Sequence, residues 1–250
     1  LDNNQSQLSG FCNAKGRLWA VFLLIRQQQN YQLILPKSMC ASLQQRLTMF
    51  ILRSKVSITD ESESIACIGL NQLDSQATEL SPFSILPYLD QQRAIALVPS
   101  EKLSDLLAIV EQNKWPLISA KAWELLDIET GIPTVFVESK EKFTPQQINL
   151  DLVGGVSFSK GCYPGQEVVA RLHYLGKPSR RLFQAQIITN DCPNIGGDVL
   201  TSAQEVAGHI VCAQVLEGSV QLLLSLKLTE VDSELSINGE TVSLIDSTLG

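Results

Sequence analysis

Short apolar runs separated by polar turns dominate the first hundred residues. The segments GRLWAVFLLIR and YQLILP flank the polar residues QQQN, and this pattern predicts two strands joined by a turn. From Ser38 onward a helical periodicity predicts a helix, with Ser38 as its N-cap. The apolar stripe of that helix is Cys40, Leu43, Leu47 and Phe50. Three further runs, KVSITD, SIACIG and RAIALVP, predict short strands.

Two amphipathic helices are predicted after a polar, irregular stretch from 71 to 90. Ser100 is expected to cap the first helix, whose apolar positions recur at helical spacing. Those positions are Leu103, Leu106, Leu107 and Val110. The second helix is expected to begin after Ser119, to carry Trp123 and to stop near Gly131. Because strands and helices alternate, the sequence predicts an α+β fold for this region.

The last third of the chain has alternating apolar positions, which are typical of antiparallel strands. RLFQAQIIT predicts one strand, and EVAGHIVCAQVLEGSVQLLLSLKL predicts two strands joined at a Glu-Gly turn. In LSINGETVSLI, the pair Asn238 and Gly239 is a strong hairpin signal. We therefore predict a small antiparallel sheet or barrel over residues 178–250, and an α+β region over residues 1–177.

Charge and cysteine content exclude several classes of protein. The chain has 250 residues and a formal net charge of −7, so a broad nucleic-acid-binding face is not expected. None of the six cysteines forms a C-x-x-C pair and there are only two histidines, so we expect no metal site. The longest apolar run, LWAVFLLI, is far shorter than the roughly 20 residues of a membrane span. We expect a cytoplasmic protein with no membrane partner, and the start at Leu1 and Asp2 indicates a cut within a longer chain.

The segment FSKGCYPGQEVVAR, residues 158–171, combines one thiol with turn-forming and polar residues. Its YPGQ portion fits a type II turn, because proline fixes the first central φ and glycine takes the positive φ at the second. Gly161 gives a second point where the backbone can approach a ligand closely. The turn is expected to project Cys162 and Tyr163 outward.

The neighbours of Cys162 favour a reactive thiolate. A short helix through EVVARL, opened by Gln166 and Glu167, would place Cys162 near a helix N-terminus, with Lys160 close by. The surrounding sequence is basic although the whole chain is acidic. Its charged residues are Lys160, Glu167, Arg171, Lys177, Arg180 and Arg181. This cluster predicts a small electropositive pocket for an anionic ligand.

Plainer interpretations of this segment stay open. Free cysteine is among the most buried residue types, so Cys162 could pack as a small apolar side chain. A Pro-Gly pair is an ordinary turn, and a basic cluster is often a solvated face. A catalytic pair of Cys162 and His173 is a further alternative, although the sequence shows no convincing base for a cysteine hydrolase.

KGCYPGQE followed by Arg171 resembles the K-G-C-Y-x-G-Q-E signature of the YgfZ family. These are folate-binding proteins of the glycine-cleavage T-protein (aminomethyltransferase) superfamily. Four other blocks resemble family segments in the same order, and they are FCNAKGRLWAVFLLIR, LRSKVSI, WELLDIETGIPTV and FTPQQINLDLVGGVSFSKGCY. The resemblance is specific up to Arg181 and weak in the strand-rich tail.

The resemblance implies a ring-like arrangement of small α+β subdomains around a folate pocket, closed by a C-terminal antiparallel β-barrel. It also implies that the family's first strand and helix lie upstream of residue 1. Carried over residue by residue, Cys162 is the functional thiol. The signature residues around it are Lys160, Gly161, Tyr163, Gly165, Gln166, Glu167 and Arg171.

Folate binding is assigned by the same resemblance to Trp123, together with Gly161 and Gly165. Trp123 corresponds to a folate-contacting tryptophan of the family, and an indole can stack on a pterin. Core packing of Trp123 is the alternative. The family's other folate-contacting tryptophan lies upstream of residue 1, so the implied pocket is incomplete in this chain.

Bacterial members of the family act in tRNA modification, and mitochondrial relatives help to build four-iron, four-sulfur clusters. The resemblance therefore implies a bacterial accessory factor, rather than an enzyme, that supports iron–sulfur cluster assembly or repair and thereby tRNA methylthiolation. The implied cofactor is tetrahydrofolate or a derivative, with transient contact to an iron–sulfur cluster, and the implied partners are iron–sulfur client enzymes. The alternative is a tetrahydrofolate-dependent, aminomethyl-type transferase, which needs a carboxylate at the folate N5/N10 centre.

Overall fold

The computed structural model describes residues 1–3, 5–72, 80, 82–90 and 92–245. The chain divides into two compact units, one of residues 1–7 and 23–119 and one of residues 8–22 and 120 onward. Strands β1 (Ser6–Cys12) and β2 (Leu18–Gln27) each contribute residues to both units. The predicted division at residue 177 follows the start of the strand-rich tail, and it stays a prediction.

The unit of residues 1–7 and 23–119 contains an antiparallel three-stranded sheet with the strand order β4-β6-β5. Its middle strand β6 is buried at six of seven positions, because strands pair on both sides and α2 packs above. One cluster of buried apolar side chains here consists of Leu80, Ala96, Val98 and Leu106. The elements of this unit are β3 (Asn30–Ile34), α1 (Lys37–Thr48), β4 (Ile65–Asn71), β5 (Ser84–Pro87), β6 (Arg93–Pro99) and α2 (Leu103–Gln112).

The other unit carries two helices and a seven-stranded antiparallel sheet. The strand order of this sheet is β12-β11-β8-β9-β10-β7-β13. Its helices are α3 (Ala120–Glu129) and α4 (Gln166–Tyr174). Its strands are β7 (Arg180–Ile187), β8 (Asp198–Thr201), β9 (Val206–Leu216), β10 (Ser219–Lys227), β11 (Leu235–Ile237), β12 (Glu240–Thr241) and β13 (Ser243–Leu244).

The seven-stranded sheet rolls into a nearly closed barrel. Its two edge strands, β12 and β13, are separated in the chain by Val242 alone. Consecutive Cα atoms are about 3.8 Å apart, so the two edges of the sheet must lie side by side. The amide of Val242 donates to the Leu235 carbonyl at 2.9 Å and joins this link to β11. The predicted C-terminal antiparallel β-barrel is therefore confirmed.

Strand β10 is buried on both of its faces. Leu222, Leu224 and Leu226 point into the barrel core and have no exposed surface. Ser225 lies on the opposite face and is also fully buried. Its hydroxyl donates to the Gln147 carbonyl at 2.8 Å, which satisfies this buried polar group. Gln147 belongs to a 3-10 turn, Pro145–Ile148, which packs against the outside of the barrel. The alternating sequence pattern alone predicts burial of only the first of these faces.

Two predicted helix caps are wrong. Helix α1 begins at Lys37 after Pro36, whose fixed φ suits a helix start, so Ser38 lies inside the helix. The Ser100 hydroxyl donates to the Glu63 carbonyl at 2.9 Å instead of capping, and α2 begins only at Leu103. In both places a competing backbone feature displaces the serine from the cap position.

The strand predictions are confirmed for every patterned segment but one. The strands predicted in GRLWAVFLLIR, YQLILP, SIACIG and RAIALVP are confirmed, as are those of the tail. KVSITD is not a strand: residues 55–60 pair with no other strand, and Val56 is 59% exposed. Strands β1, β5 and β8 were not predicted, since none of them combines alternation with flanking turn signals.

Candidate functional site

The signature segment folds as the predicted type II turn. The amide of Gln166 donates to the Tyr163 carbonyl at 3.1 Å, which closes the turn. Gly165 has φ 77° and ψ 5°, the values that the second central residue of a type II turn requires. Gly165 is also the residue before the first turn of α4, so the turn leads directly into that helix.

Gly165 packs directly on the backbone of a second turn, formed by residues 13–17 between β1 and β2. A Cβ atom on Gly165 would lie 2.4 Å from the Asn13 carbonyl oxygen and 2.5 Å from the Gly16 Cα. Gly16 is also tightly packed, since its own Cβ would lie 3.0 Å from the Cβ of Val168 and 3.1 Å from the Gly165 carbonyl oxygen. Two sequence blocks that are far apart in the chain therefore meet through two glycines. No side chain fits between them.

The second turn is held in shape by Asn13. Its side-chain oxygen accepts hydrogen bonds from the amides of Lys15 at 2.9 Å and Arg17 at 3.0 Å. Its side-chain nitrogen donates to the Glu141 carboxylate at 2.7 Å. An asparagine that bonds the backbone two and four residues later fixes a tight turn. The surface on which Gly165 rests is thus rigid.

Helix α4 is tied to the barrel by the segment PQQINLD. Gln146, which is 1% exposed, donates from its side chain to the Val169 carbonyl of α4 at 2.7 Å. Asn149 pairs with β7 through its side chain, both donating to and accepting from the backbone of Leu182 at 3.2 Å. Arg181 of β7 donates to the Asp151 carboxylate at 2.7 Å. These bonds position the helix that follows the signature turn.

Cys162 is exposed and Tyr163 is not. The Cys162 thiol faces solvent, as the turn predicts. The Tyr163 hydroxyl is buried, so the prediction that Tyr163 projects outward is wrong. Burial raises the pKa of the Tyr163 phenol. The ammonium group of Lys160 lies 5.1 Å from the Tyr163 ring centre, which is cation–π distance and keeps the lysine beside the turn.

Cys12 is a second thiol at this site, and sequence reasoning missed it. It ends β1 directly before the Asn13 turn and is 6% exposed. Burial raises its pKa to about 11, and the positive charge of Lys160 offsets part of that rise. Its negative form would in turn raise the pKa of Tyr163. Cys12 belongs to the segment FCNAKGR, but nothing in the local sequence distinguishes a buried thiol at a site from a cysteine that only packs in the core.

The predicted basic cluster is divided by the fold. Lys160, Arg171 and Lys177 are exposed, and Arg180 is half-buried. Arg181 forms the ion pair with Asp151 described above, so its charge is compensated. Glu167 is exposed in the first turn of α4, where the negative charge of a carboxylate interacts favourably with the helix dipole. The electropositive pocket therefore rests on three exposed cations and stays a prediction.

His173 is engaged with aromatic side chains. Its ring stacks on Phe158 at a centroid distance of 3.6 Å and a tilt of 12°. Tyr174 meets both rings edge-on, at 6.1 Å from Phe158 and 4.7 Å from His173. The stack holds the last turn of α4 against the start of the signature segment. The alternative pairing of His173 with Cys162 gains no support from these contacts.

Trp123 lies half-buried on α3, and the next residue of that helix, Glu124, lines a small cavity. The cavity of about 30 Å³ holds about one water molecule and is far too small for a pterin ring. Its lining residues are Glu124, Asp127, Ile128, Phe136, Cys212 and Ala213. Burial, reinforced by the two carboxylates, raises the pKa of Cys212 to about 12. A ring stacked on Trp123 would therefore occupy its open side rather than this cavity.

Gly161 is surrounded by open space, since a Cβ atom there would meet no heavy atom within 4 Å. Its predicted role in ligand approach stays a prediction. Among residues 1–3, 5–72, 80, 82–90 and 92–245, no group of three or more His, Cys, Asp or Glu side chains is arranged to hold a metal ion. Within the same ranges, no helix combines the length and the apolar character that crossing a membrane requires.

Comparison with known proteins finds relatives by sequence and by structure. No family model matches the chain. It is 34% identical over 186 residues to the tRNA-modifying protein YgfZ of Colwellia psychrerythraea, a match that covers 69% of this chain and 57% of that protein. The chain thus spans little more than half the length of this relative. The glycine cleavage system aminomethyltransferase T of Bartonella henselae superposes with a TM-score of 0.69 at 12% identity, over 100% of this chain and 76% of the other, and confirms the predicted T-protein-like fold.

The glycine contact predicts that Gly165→Ala destabilises the protein. Alanine strains the positive φ and overlaps the backbone of Asn13, so we expect a loss of about 1–3 kcal/mol in the free energy of unfolding. Chemical denaturation measures that loss. Gly161→Ala is the matched control, because its Cβ meets open space, and its effect should be within about 0.5 kcal/mol. Equal stabilities of the two variants would show that the glycine contact is dispensable.

The burial of the thiols predicts selective alkylation. Only a thiolate reacts with iodoacetamide, and a pKa of about 11 keeps Cys12 protonated at pH 8 in addition to its poor access. We expect Cys162 to be alkylated at least about tenfold faster than Cys12 or Cys212, as measured by peptide mass spectrometry. In urea all three should react at similar rates. Fast labelling of Cys12 in the native protein would contradict the described burial.

Proposed function

Because its matched residues place the chain in the YgfZ family of tRNA-modifying proteins, we propose that it is a folate-binding helper of iron–sulfur enzymes. In this proposal the protein supports assembly or repair of iron–sulfur clusters, and through them the methylthiolation of tRNA. It acts as a cytoplasmic accessory factor and does not itself bind tRNA broadly, which agrees with its net charge of −7.

The observation that carries the proposal is the exposed thiol of Cys162 on a rigid turn. Thiolate sulfur is a soft ligand for iron and a nucleophile in thiol exchange. The glycine contact and the Gln166–Tyr163 hydrogen bond hold the turn in one conformation. Lys160 lies beside the turn, with its ammonium group over the Tyr163 ring, and supplies a positive charge next to the site. The arrangement suits transient contact with the cluster of another protein, since a single thiol cannot complete a cluster's ligand set.

The signature residues divide their roles in this proposal. Tyr163 and Gln166 close the turn, and Gly165 makes the contact with Gly16. Glu167 stabilises the start of α4. Arg171 supplies an exposed positive charge one and a half turns further along the same helix. Only Cys162 would react, and the remaining residues position it.

For folate, the residues around Trp123 fit a pterin ring in their chemistry. The half-buried indole offers a surface for stacking. Carboxylates accept hydrogen bonds from amino groups such as those of a pterin, and Glu124, the next residue of α3 after Trp123, is exposed. Bound tetrahydrofolate would supply a one-carbon carrier. The chain would bind and orient it through Trp123, while Gly161 and Gly165 are assigned to the pocket by resemblance alone.

A folate-dependent transferase is the second candidate, because the structural relative is an aminomethyltransferase. At 12% identity this similarity shows a shared fold and is no evidence of a shared activity. The two candidates differ in turnover. A transferase consumes methylene- or formyl-tetrahydrofolate when an amine acceptor is present, whereas a helper binds folate without consuming it.

We expect Cys162→Ser to abolish function in cells while leaving the fold intact. Methylthio-modified adenosine in tRNA is measured by mass spectrometry in a strain that lacks its own family member and carries this protein. The wild type should restore the modification and Cys162→Ser should not. Cys192→Ser is the matched control, since Cys192 is a second exposed cysteine outside the signature. Full restoration by Cys162→Ser would refute the thiol role and direct attention to the folate site.

Tetrahydrofolate binding is expected to depend on Trp123. We expect Trp123→Ala to weaken binding by about tenfold, or roughly 1.4 kcal/mol, in isothermal titration calorimetry. Trp115 is equally half-buried but lies outside α3, so Trp115→Ala serves as the control and should bind like the wild type. If the two substitutions weaken binding equally, Trp123 has no specific contact with folate. Consumption of methylene-tetrahydrofolate in the same samples would favour the transferase.

A further inference from the structure

We propose that the exposed face of α4 and the residues after it form a docking surface for an acidic segment of a partner protein. This α4 surface consists of Val168, Arg171, Tyr174, Leu175 and Lys177. The inference rests on the proposed function, because a helper of other enzymes must contact them. The inference identifies the surface that makes this contact and the chemistry that the partner must present.

The α4 surface exposes more apolar side-chain area than is usual for the solvated side of a helix. Leu175 is 84% exposed, Tyr174 65% and Val168 38%. Val168, Arg171 and Leu175 have the spacing i, i+3, i+7, so they lie on one side of the helix. A single exposed leucine is ordinary, but Val168 and Leu175 on one side of the helix, with Tyr174 exposed next to Leu175 in the chain, form an apolar group of the kind that marks interaction sites.

The α4 surface is rigid before any partner binds. Its opposite side is anchored by Val169, which is fully buried and whose carbonyl accepts the Gln146 hydrogen bond. Its end is fixed by the aromatic stack of Phe158, His173 and Tyr174. A surface that is already ordered loses little entropy on binding, and this favours recognition of a partner by a few side chains.

The charge of the α4 surface selects the partner. Arg171 and Lys177 flank the apolar side chains, and Lys160 stands beside the exposed Cys162. The one exposed acid on α4 is Glu167, at the start of the helix. In a chain of net charge −7, this positive patch complements an acidic segment of a partner.

An acidic polypeptide fits this surface better than a nucleic acid does. Val168 and Leu175 are aliphatic, and aliphatic side chains pack against apolar side chains, whereas nucleic-acid bases are held by stacking on flat rings. The Tyr174 ring is already edge-on to two rings. The partner segment should therefore combine carboxylates, for Arg171 and Lys177, with an aromatic or aliphatic side chain for Leu175.

A random copolymer of glutamate and tyrosine in a 4:1 ratio provides a defined probe of this chemistry. Fluorescence anisotropy of the labelled copolymer measures its binding to the folded protein at low and high salt. We expect the double variant Leu175→Ser, Lys177→Glu to weaken binding at least tenfold, and added salt to weaken it further. Lys177→Glu alone lies beyond the helix and should weaken binding about threefold, which keeps the test valid should the double variant fail to fold.

Matched controls distinguish binding at the α4 surface from non-specific electrostatic or hydrophobic binding. Leu228→Ser removes a leucine that is 47% exposed elsewhere, and Lys102→Glu reverses an exposed charge elsewhere. Both should bind the copolymer within twofold of the wild type. If the controls weaken binding as much as the α4 variants do, or if bulk tRNA binds more tightly than the copolymer and loses affinity in the same variants, the proposal is overturned.

The same assay keeps this proposal distinct from the proposed function. Cys162→Ser leaves the α4 surface intact and should bind the copolymer like the wild type. Loss of copolymer binding in the α4 variants supports the docking surface even when Cys162→Ser still restores tRNA methylthiolation. Unchanged copolymer binding in the α4 variants refutes the docking surface even when Cys162 proves essential in cells.

Discussion

The contact between Gly165 and the turn that holds Gly16 is the constraint on which the rest of the site depends. Backbone meets backbone there, with no room for a Cβ atom on Gly165 and little for one on Gly16. Asn13 fixes one partner, and the type II turn fixes the other. Cys12 lies directly before the first of these turns, and Cys162 and α4 lie on either side of the second, so the contact fixes where these segments meet.

The two thiols at the site have opposite environments although they lie on adjoining segments. Cys162 is open to solvent, whereas Cys12 is buried with a pKa of about 11 and is protonated at neutral pH. Burial and the positive charge of Lys160 act in opposite directions on the pKa of Cys12, and burial is the larger effect. The structure therefore offers one chemically accessible thiol next to one that serves packing, which suits a site specialised for contact rather than for catalysis by a residue pair.

Sequence reasoning succeeded where the signal is local. The Pro-Gly turn, the Asn-Gly hairpin and the alternating tail follow from φ preferences and a period of two, and the structure shows each of them. It failed where a distant segment decides. Ser100 bonds to Glu63 rather than capping, the Tyr163 hydroxyl turns inward, and Cys12 gains its importance from residues far along the chain. The short strands β5 and β8 exist only because neighbouring strands pair with them.

The single residue that links β12 to β13 sets an order of events during synthesis. β13 pairs with β7, the first strand of the barrel to be made, yet it is the last of the seven to leave the ribosome. Until then one edge of β7 has no partner, although its other edge can pair with β10. An unpaired edge strand is prone to association with other chains. A nascent chain stalled before Val242 therefore exposes the unpaired edge of β7. That edge is covered only when the last strand, β13, leaves the ribosome.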